Sequence, residues 1–594
     1  MKNPESAIIP RLVSEQASTH ALLNCLIKEF ALPEGGLHYC WPQQMQGITP
    51  SHCLQAIRHG GMPLCIQLSD AWQCFVLVDR RDALGSQRYL SDVYTRQGDA
   101  DWSAPDFATL VAQILAGCQQ RVRGDNHELP QQIEQSQRLT ARILAHNLRQ
   151  NAQHPLTGYL ASEQGLWFGH PSHPAPKARL WPDDLAQETF APEFQAMTAL
   201  HQFAVPQEGL IVYGNGLTSQ QVLAGFADQS QAADGQAIIV MHPVQARLFL
   251  QDPRVQQLLA QGQIVDLGPS GFRAAPTASI RTWYLAQHDY FIKGSLNVRI
   301  TNCVRKNAWY ELESTMIIDR LFRRLKQTAS DTLEGLTAVA EPGVLSWSPR
   351  LASEADRNWF REQTGAILRE NFCRQYGEEN CLMAGTLFAR DGELQPLIRQ
   401  VLQQCYGSTP SDDQRLQWFA DYQRLLLGPV LVLFFNHGIV MEPHLQNTVL
   451  VHHQGRPQQV LLRDFEGVKL TDDLGIRQVE VDIHPRVRQS LLYSREQGWQ
   501  RIMYCLFINN LSEAVLALSW QRPVLASQMW QQVWAQLQQI QRRLRAPAPE
   551  LAALIAGGPI SCKTNLKVRL AAQADRQAGY VPLPSPWRQG VAHD

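Results

Sequence analysis

The sequence predicts an α+β fold, and three features carry that prediction. Short apolar runs at residues 210–213 and 237–241 have the length and composition of buried strands. Longer stretches at residues 309–325 and 529–544 repeat apolar side chains at helical spacing. Two β-rich runs, residues 448–451 and 460–462, flank Gln454-Gly455 and read as a hairpin.

Composition sets the outer limits. At roughly 150 residues per unit, 594 residues allow about four structural units. With 44% apolar and 18% charged residues, the chain can bury large cores and is not a disordered polyelectrolyte. Lys+Arg total 53 against 54 Asp+Glu, a formal charge of −1, so no basic surplus points to nucleic acid or an anionic membrane. The longest apolar run, residues 425–435, contains Gly428 and Pro429 and falls short of the roughly 20 residues that span a bilayer. No signal-like stretch follows Met1, so a cytoplasmic protein is expected, with its 12 scattered cysteines reduced and no C-x-x-C pair among them.

Taken in order, the chain begins with short apolar runs such as residues 74–78. A helix follows, with Ile133, Leu139, Ile143, Leu144 and Leu148 on one stripe and Pro130 in its first turn. Residues 168–179 hold three prolines, two histidines, Lys177 and Arg179. The prolines forbid a regular helix, so this is an ordered loop, either a connector or a stiff frame presenting anion-binding groups. An α/β pattern occupies residues 209–306. Leu312, Ile317, Leu321 and Leu325 then form the apolar side of a helix. Met529, Val533, Leu537, Ile540 and Leu544 form another, closed by Ala546-Pro547-Ala548-Pro549.

Standard nucleotide and hydrolase signatures are missing: no G-x-x-x-x-G-K-[ST], no complete G-x-G-x-x-G, no nucleophile elbow and no H-E-x-x-H. Two other constellations carry chemistry. Arg281, Lys293, Arg299, Arg305 and Lys306 stand against one acid, Asp289, making a local cationic segment. If residues 291–301 form one strand, Lys293, Arg299 and Thr301 share a face, joined by Arg305 if the strand continues. Ser279-Ile280-Arg281-Thr282 adds two hydroxyls and a guanidinium suited to a phosphate chain; a solvated strand face is the alternative. In the second constellation, pairing across Gln454-Gly455 sets Asn447 opposite about Arg463. Asn447 and Asp464, with Glu442 nearby, then offer hard oxygen ligands for Mg²⁺, and His444 can donate to a phosphate oxygen. The Asn and later Asp-Phe pattern is kinase-like, but no His-Arg-Asp base is present.

Six ordered motifs sharpen this reading. They are Gly169-His170-Pro171-x-His173-Pro174-x-x-Lys177-x-Arg179, His242-Pro243-x-Gln245, Ser279-x-Arg281-Thr282, Lys293 through Ile300-Thr301-Asn302-x-x-Arg305, His437-Gly438-x-x-x-Glu442-x-His444-x-Gln446-Asn447, and Arg463-Asp464-x-Glu466-Gly467. The series resembles that of the NRPS-independent siderophore (NIS) synthetases, the aerobactin-synthetase-like family, and the similarity is greatest to members joining citrate to L-serine. The resemblance implies a cupped-hand architecture: a thumb over residues 1–160, fingers with a phosphate-binding strand over 161–380, and a largely helical palm over 381–594 bearing the hairpin of the nucleotide site. It implies a cytoplasmic homodimer that uses ATP and Mg²⁺ to adenylate citrate, releases pyrophosphate, and passes the acyl group to a hydroxyl or amine with loss of AMP. By position, Ser279, Arg281, Thr282, Lys293, Arg305, His444 and Gln446 would bind ATP. Arg305 and His444 would be catalytic at the α-phosphate. Glu442, Asn447 and Asp464 would hold Mg²⁺, and His170, Thr301, Arg305, Tyr504 and Lys563 would face the carboxylate substrate. Val244 departs from the Trp frequent there in the family, at a position that reads as structural. A small-molecule kinase, a ligase acting on a citrate derivative or 2-oxoglutarate with an amine, and a non-catalytic siderophore-binding protein are the competing readings.

Overall fold

The computed structural model of the chain describes residues 5–42, 51–69, 72–149, 156–182, 185–300, 303–350, 353–479 and 482–587. Its first part is a four-stranded antiparallel meander, Leu37–His38, Met62–Ser69, Trp72–Val78 and Tyr94–Gln97, packed with helices Glu5–Leu26, Phe107–Gln119 and Leu129–Arg149. The stripe expected in the last of these is buried at Ile133, Leu139, Ile143 and Leu144, while Leu148 at its end is exposed. Leu566 and Leu570, from near the other end of the chain, complete this core, so the first and last segments fold together.

The middle of the chain builds a seven-stranded sheet in the order Thr198–Ala199, Arg273–Pro276, Thr282–Tyr284, Tyr290–Gly294, Ala366–Glu370, Gly343–Trp347, Leu210–Gly214. Every pairing is antiparallel. Residues 210–213 therefore lie on an edge strand that is half exposed, with Tyr213 48% accessible, and not in a buried one. A strand with one side open needs less burial than its apolar run suggests. Gln236–Met241 is buried, as its composition predicts, and pairs with His201–Pro206 in a separate three-stranded sheet.

Residues 291–301 do not form one strand. Tyr290–Gly294 belongs to the large sheet, whereas Leu296–Ile300 turns away to pair with Cys303–Arg305. The break falls at Ser295, whose N–H donates to the Gly365 carbonyl at 3.0 Å and whose Oγ accepts the Asn307 N–H at 2.8 Å. Lys293 consequently points into the protein interior, while Arg299 reaches the surface and pairs with Glu128.

The last part packs the hairpin of Thr448–His453 and Arg456–Leu462 between Cys381–Met383 and the parallel strand Leu336–Ala338. Gln454 (φ +50°) and Gly455 (φ +79°) make the left-handed two-residue turn that such a hairpin demands. An irregularity after Val451 shifts the register by one, which sets Thr448 against Leu462 and directs the Arg463 N–H onto the Asn447 carbonyl at 3.1 Å. The helices Asp412–His437, Val524–Arg543 and the continuous helical run 495–518 surround this sheet. Two of them, 412–437 and 495–518, are apolar enough by composition to cross a membrane. Their apolar windows are 72% and 89% buried inside the protein, which accounts for that composition as core packing.

Candidate active site

The Ser279–Thr282 segment is a tight connection between two sheet strands. The Thr277 N–H donates to the Thr282 carbonyl and the Ile280 N–H to the Thr277 carbonyl, each at 2.8 Å. Ile280 adopts φ +67°, a region that costs a side-chain-bearing residue about 1–2 kcal/mol. Burial of its side chain against Trp181, Val244, Leu296 and Val298 offsets that cost. The strained turn sets Ser279 beside Thr282, with hydroxyl to hydroxyl at 2.9 Å, and turns Arg281 inward. Thr282 is registered directly against Lys293 on the neighbouring strand.

Arg281 and Lys293 meet the residues just after the hairpin in a buried charge network. Arg281 donates to Asn307 Oδ1 at 2.6 Å and to Glu466 Oε2 at 2.8 Å; Lys293 pairs with Glu466 Oε2 at 2.8 Å and with Asp464. Arg369 bridges Glu341 at 2.6 Å and lies 3.8 Å from Asp464. Burial works against each charge, yet the neighbours win. Lys293, Arg369 and Arg281 hold the Asp464 carboxyl well below the ordinary range. Arg281 and Lys293 hold Glu466 at about 2. Glu311 lacks such support: burial, with Glu466 adding to it, pushes its carboxyl up to about 7. Asp464 itself sits at φ +82°, a second strained position at the seam.

The cationic segment read along the sequence is thus largely neutralised in space. Arg299 meets Glu128 and Lys306 meets Glu362, so among the described residues Arg305 alone of that set has no ion pair. Lys177 and Arg179 likewise do not present themselves to an anion. Both are turned onto the buried Glu193, at 2.6 and 2.5 Å. His242 and Gln245 are structural, His242 Nδ1 capping a helix through the Val244 N–H and Gln245 tying Gln363 to the Asn297 N–H.

His444 follows the long helix 412–437 at the mouth of the hairpin. Its Nδ1 lies 3.3 Å from the Asn447 N–H, and its carbonyl accepts from Asn447 and Thr448. Burial lowers its basicity despite Glu442 and Asp464, so the ring is neutral at pH 7. With Nδ1 accepting, the proton sits on Nε2, and the ring offers one donor.

Glu442, Asn447 and Asp464 supply two carboxylates and an amide oxygen. Glu442 pairs with Arg501 at 2.9 Å and packs against Gly467, where a Cβ would stand 2.6 Å from its Oε2. Among the described residues no cluster of three His, Cys, Asp or Glu side chains is arranged to cage a metal. The donor set fits a hard divalent ion bound by one or two carboxylates and completed by phosphate and water, the usual mode for Mg²⁺.

A narrow cavity of about 10 Å³ brings together His170, Tyr504 and Lys563. His170 Nε2 lies 3.2 Å from the Tyr504 hydroxyl and 2.7 Å from Asn509 Nδ2, and burial drops its basicity to about 3. Lys563 pairs with Asp575 at 2.7 Å. Thr301 lies outside the described residues. Two π-helical segments, Ile27–Ala31 and Met503–Leu511, line the same cavity, and such widened turns recur at functional sites.

Several residues of the site have no local signal in the sequence. Glu163, fully buried, accepts from the Arg463 guanidinium with one oxygen and from the Ala278 N–H at 2.9 Å with the other, locking the Ser279–Thr282 turn to the hairpin. Lys28 and Glu29 reach the cavity from the π-helical segment that follows the first helix, where Glu29 caps the backbone N–H groups of Asn565, Leu566 and Lys567 at 2.8–2.9 Å. Glu466 and Arg369 complete the charge network. Of these, Glu466 stood within a recognised motif and carried no assigned role.

Residues 158–389 match the model of the IucA / IucC family, and residues 416–578 match that of the ferric iron reductase FhuF-like transporters. The chain is 27% identical over 446 residues to the L-2,3-diaminopropanoate–citrate ligase of Staphylococcus aureus, covering 73% of this chain and 75% of that one. It is 24% identical over 460 residues to the spermidine–citrate ligase of Bacillus anthracis, covering 73% and 74%. Its fold superposes on the ATP-bound aerobactin synthetase IucA of Klebsiella pneumoniae with a TM-score of 0.82 at 20% identity, over 97% of this chain and all of that one. The petrobactin biosynthesis protein AsbB of Bacillus anthracis gives 0.71 at 18% identity, over 97% of this chain and 96% of that one. The protein is an ATP-dependent ligase. It is similar to the NIS synthetases of the IucA/IucC family, whose model matches residues 158–389.

Proposed function

We propose that this ligase adenylates citrate and transfers the citryl group to the hydroxyl of L-serine, giving O-citryl-serine, AMP and pyrophosphate in a siderophore pathway. Citrate enters from the relatives, whose names include two citrate ligases; those relatives use a diamino acid and a polyamine as nucleophiles. The observation that carries the reading is the meeting of three groups. Arg281 and Lys293 sit with Asp464 and Glu466, Arg305 has no described ion pair, and His444 presents an Nε2–H donor. This arrangement suits a polyphosphate approached by a second polyanion.

In this reading Ser279, Arg281, Thr282, Lys293 and Gln446 hold the nucleotide. A carboxylate oxygen of citrate attacks the α-phosphorus, and the bond to the pyrophosphate oxygen breaks. Arg305 and His444 Nε2–H stabilise the charge gathering on the α-phosphate oxygens, a role worth about 3–4 kcal/mol per donor by analogy with an oxyanion hole. Neutral His444 donates without first losing a proton. His170, Tyr504, Lys563, Thr301 and Arg305 orient the acid. Glu442, Asn447 and Asp464 would hold Mg²⁺, which neutralises phosphate charge when bound. The enzyme is proposed as a cytoplasmic homodimer.

Pyrophosphate release from Mg-ATP across a panel of carboxylic acids, with and without L-serine, tests this. Release that requires citrate and rises with L-serine is expected. ADP in place of AMP would favour a kinase, and dependence on another acid or an amine would reassign the substrates.

A further inference from the structure

A second cavity, of about 60 Å³, shares His170, Pro171 and Glu513 with the first. It lies between the first helix, the loop at residues 168–171 and the helix Ser512–Leu518, and its walls are partly apolar, with Ala21, Phe388 and Ala517 among them. Two opposite charges line it without pairing with each other. Glu513, 8% exposed, has among the described residues only Lys28, at 3.8 Å, as an ion partner. Arg390 has no ion pair among the described residues, and its one side-chain hydrogen bond runs to Nδ1 of His20 at 3.1 Å. Burial pulls Arg390 below its ordinary value and pushes the Glu513 carboxyl above its own, outweighing the attraction the two charges exert on each other across the cavity. Two further wall residues hold orphaned buried atoms, the acceptor Gln87 Oε1 and the donor Trp520 Nε1.

We propose that this cavity binds the nucleophile as an α-amino acid zwitterion, its carboxylate on Arg390 and its ammonium on Glu513. The proposal rests on the ligase reading for the word nucleophile; the binding chemistry stands on the cavity. A simple carboxylic acid would leave Glu513 still more poorly compensated, and a simple amine would leave Arg390 so. A zwitterion satisfies both. The α-ammonium, held protonated on Glu513, is then not nucleophilic, and the side-chain hydroxyl is the group left to react. Its oxygen bonds to the citryl carbonyl carbon, the carbonyl–O bond to phosphate breaks, AMP leaves with that electron pair, and the hydroxyl proton goes to water.

Calorimetric titration of the full-length protein decides the matter. L-serine and L-2,3-diaminopropanoate are titrated alongside 2-aminoethanol, which lacks the carboxylate, and 3-hydroxypropionate, which lacks the amine. At least one amino acid is expected to bind at least about tenfold tighter than either analogue, as loss of a charge-assisted contact predicts. Arg390→Gln should abolish the advantage over 2-aminoethanol and Glu513→Gln the advantage over 3-hydroxypropionate. Ala21→Leu, which fills the cavity without altering a charge, should remove amino-acid binding, and with the wild-type analogue series it decides even where a charge variant misfolds. Neither amino acid outbinding the analogues, or binding unaffected by Arg390→Gln in a folded variant, would overturn the assignment. Citrate-dependent pyrophosphate release by the wild type is read separately: its absence removes the ligase reading and leaves the titration to judge the cavity.

Discussion

Glu163→Gln isolates the joint between the Ser279–Thr282 turn and the hairpin of residues 448–462. In the native protein Glu163 accepts from donors on two sides, the Arg463 guanidinium on Oε1 and the Ala278 N–H on Oε2. Glutamine has one oxygen, so in either orientation its NH₂ group faces a donor. The pair is deeply buried, with side-chain exposures of 0% for Glu163 and 4% for Arg463. Removing one partner of such a pair costs about 3–5 kcal/mol, because the remaining charge stays buried without compensation. Arg463 retains hydrogen bonds to the Tyr159 hydroxyl and the Gln446 carbonyl, which place the cost toward the lower end. The assay is urea unfolding followed by tryptophan fluorescence, comparing Glu163→Gln with the double variant Glu163→Gln/Arg463→Met. The single variant should lose about 3 kcal/mol of unfolding free energy, and removing both charges should restore part of it. Because the Ala278 tether precedes Ser279, the KM for ATP should also rise in the single variant. A Glu163→Gln protein as stable as wild type, or a double variant no better than the single, would refute the reasoning.

Two further predictions follow from the same geometry. Arg305→Ala and His444→Ala should each reduce turnover at least about a hundredfold, as loss of one oriented donor does. Thermal melting of Arg305→Ala should be unchanged, and wild-type turnover in either variant would remove that residue from the mechanism. His242 supplies a pH signature. Its ring titrates near 6.5 in the unfolded chain but, through burial, at about 3 in the fold. Between those values the unfolded state holds a proton that the native state lacks, so stability present above pH 6.5 is lost as pH falls. The loss reaches about 1.4 kcal/mol per pH unit. His242→Asn keeps an acceptor for the Val244 N–H and removes the titrating ring. Between pH 6.5 and 5 it should lose up to about 2 kcal/mol less than wild type in urea unfolding. An identical pH dependence would exclude His242 as a contributor.

Much of the local structure is legible without coordinates. The helix at Trp309–Thr328 buries Leu312, Ile317, Leu321 and Leu325 as the periodicity requires, and the hairpin turns at Gln454-Gly455. Pairing across Gln454-Gly455 sets Asn447 opposite about Arg463, and the irregularity after Val451, which moves the register by one residue, makes that the pairing observed. Reading went wrong where a pattern had two physical causes. An apolar run at Leu210–Gly214 could be a buried strand or an edge strand, and it is the edge. Alternation placed Lys293 and Arg299 on one face only if the strand continued, and Ser295 breaks it. Lys177 and Arg179 looked like presented cations, yet Glu193 takes both.

The sequence by itself determined the chemistry available: hydroxyls and cations at residues 279–305, oxygen donors and a histidine at 442–464, and the ordered motifs that mark the family. Residue type and near-neighbour spacing are local properties, and backbone propensity and periodicity act on them directly. The tertiary structure decided which charges compensate one another. Lys293 meets Asp464 across 171 residues of chain, Glu163 meets Arg463 across 300, and Glu29 caps a helix 537 residues away. Such pairings are selected by the cost of leaving a buried charge alone, and that cost exists only once the elements have packed and excluded water.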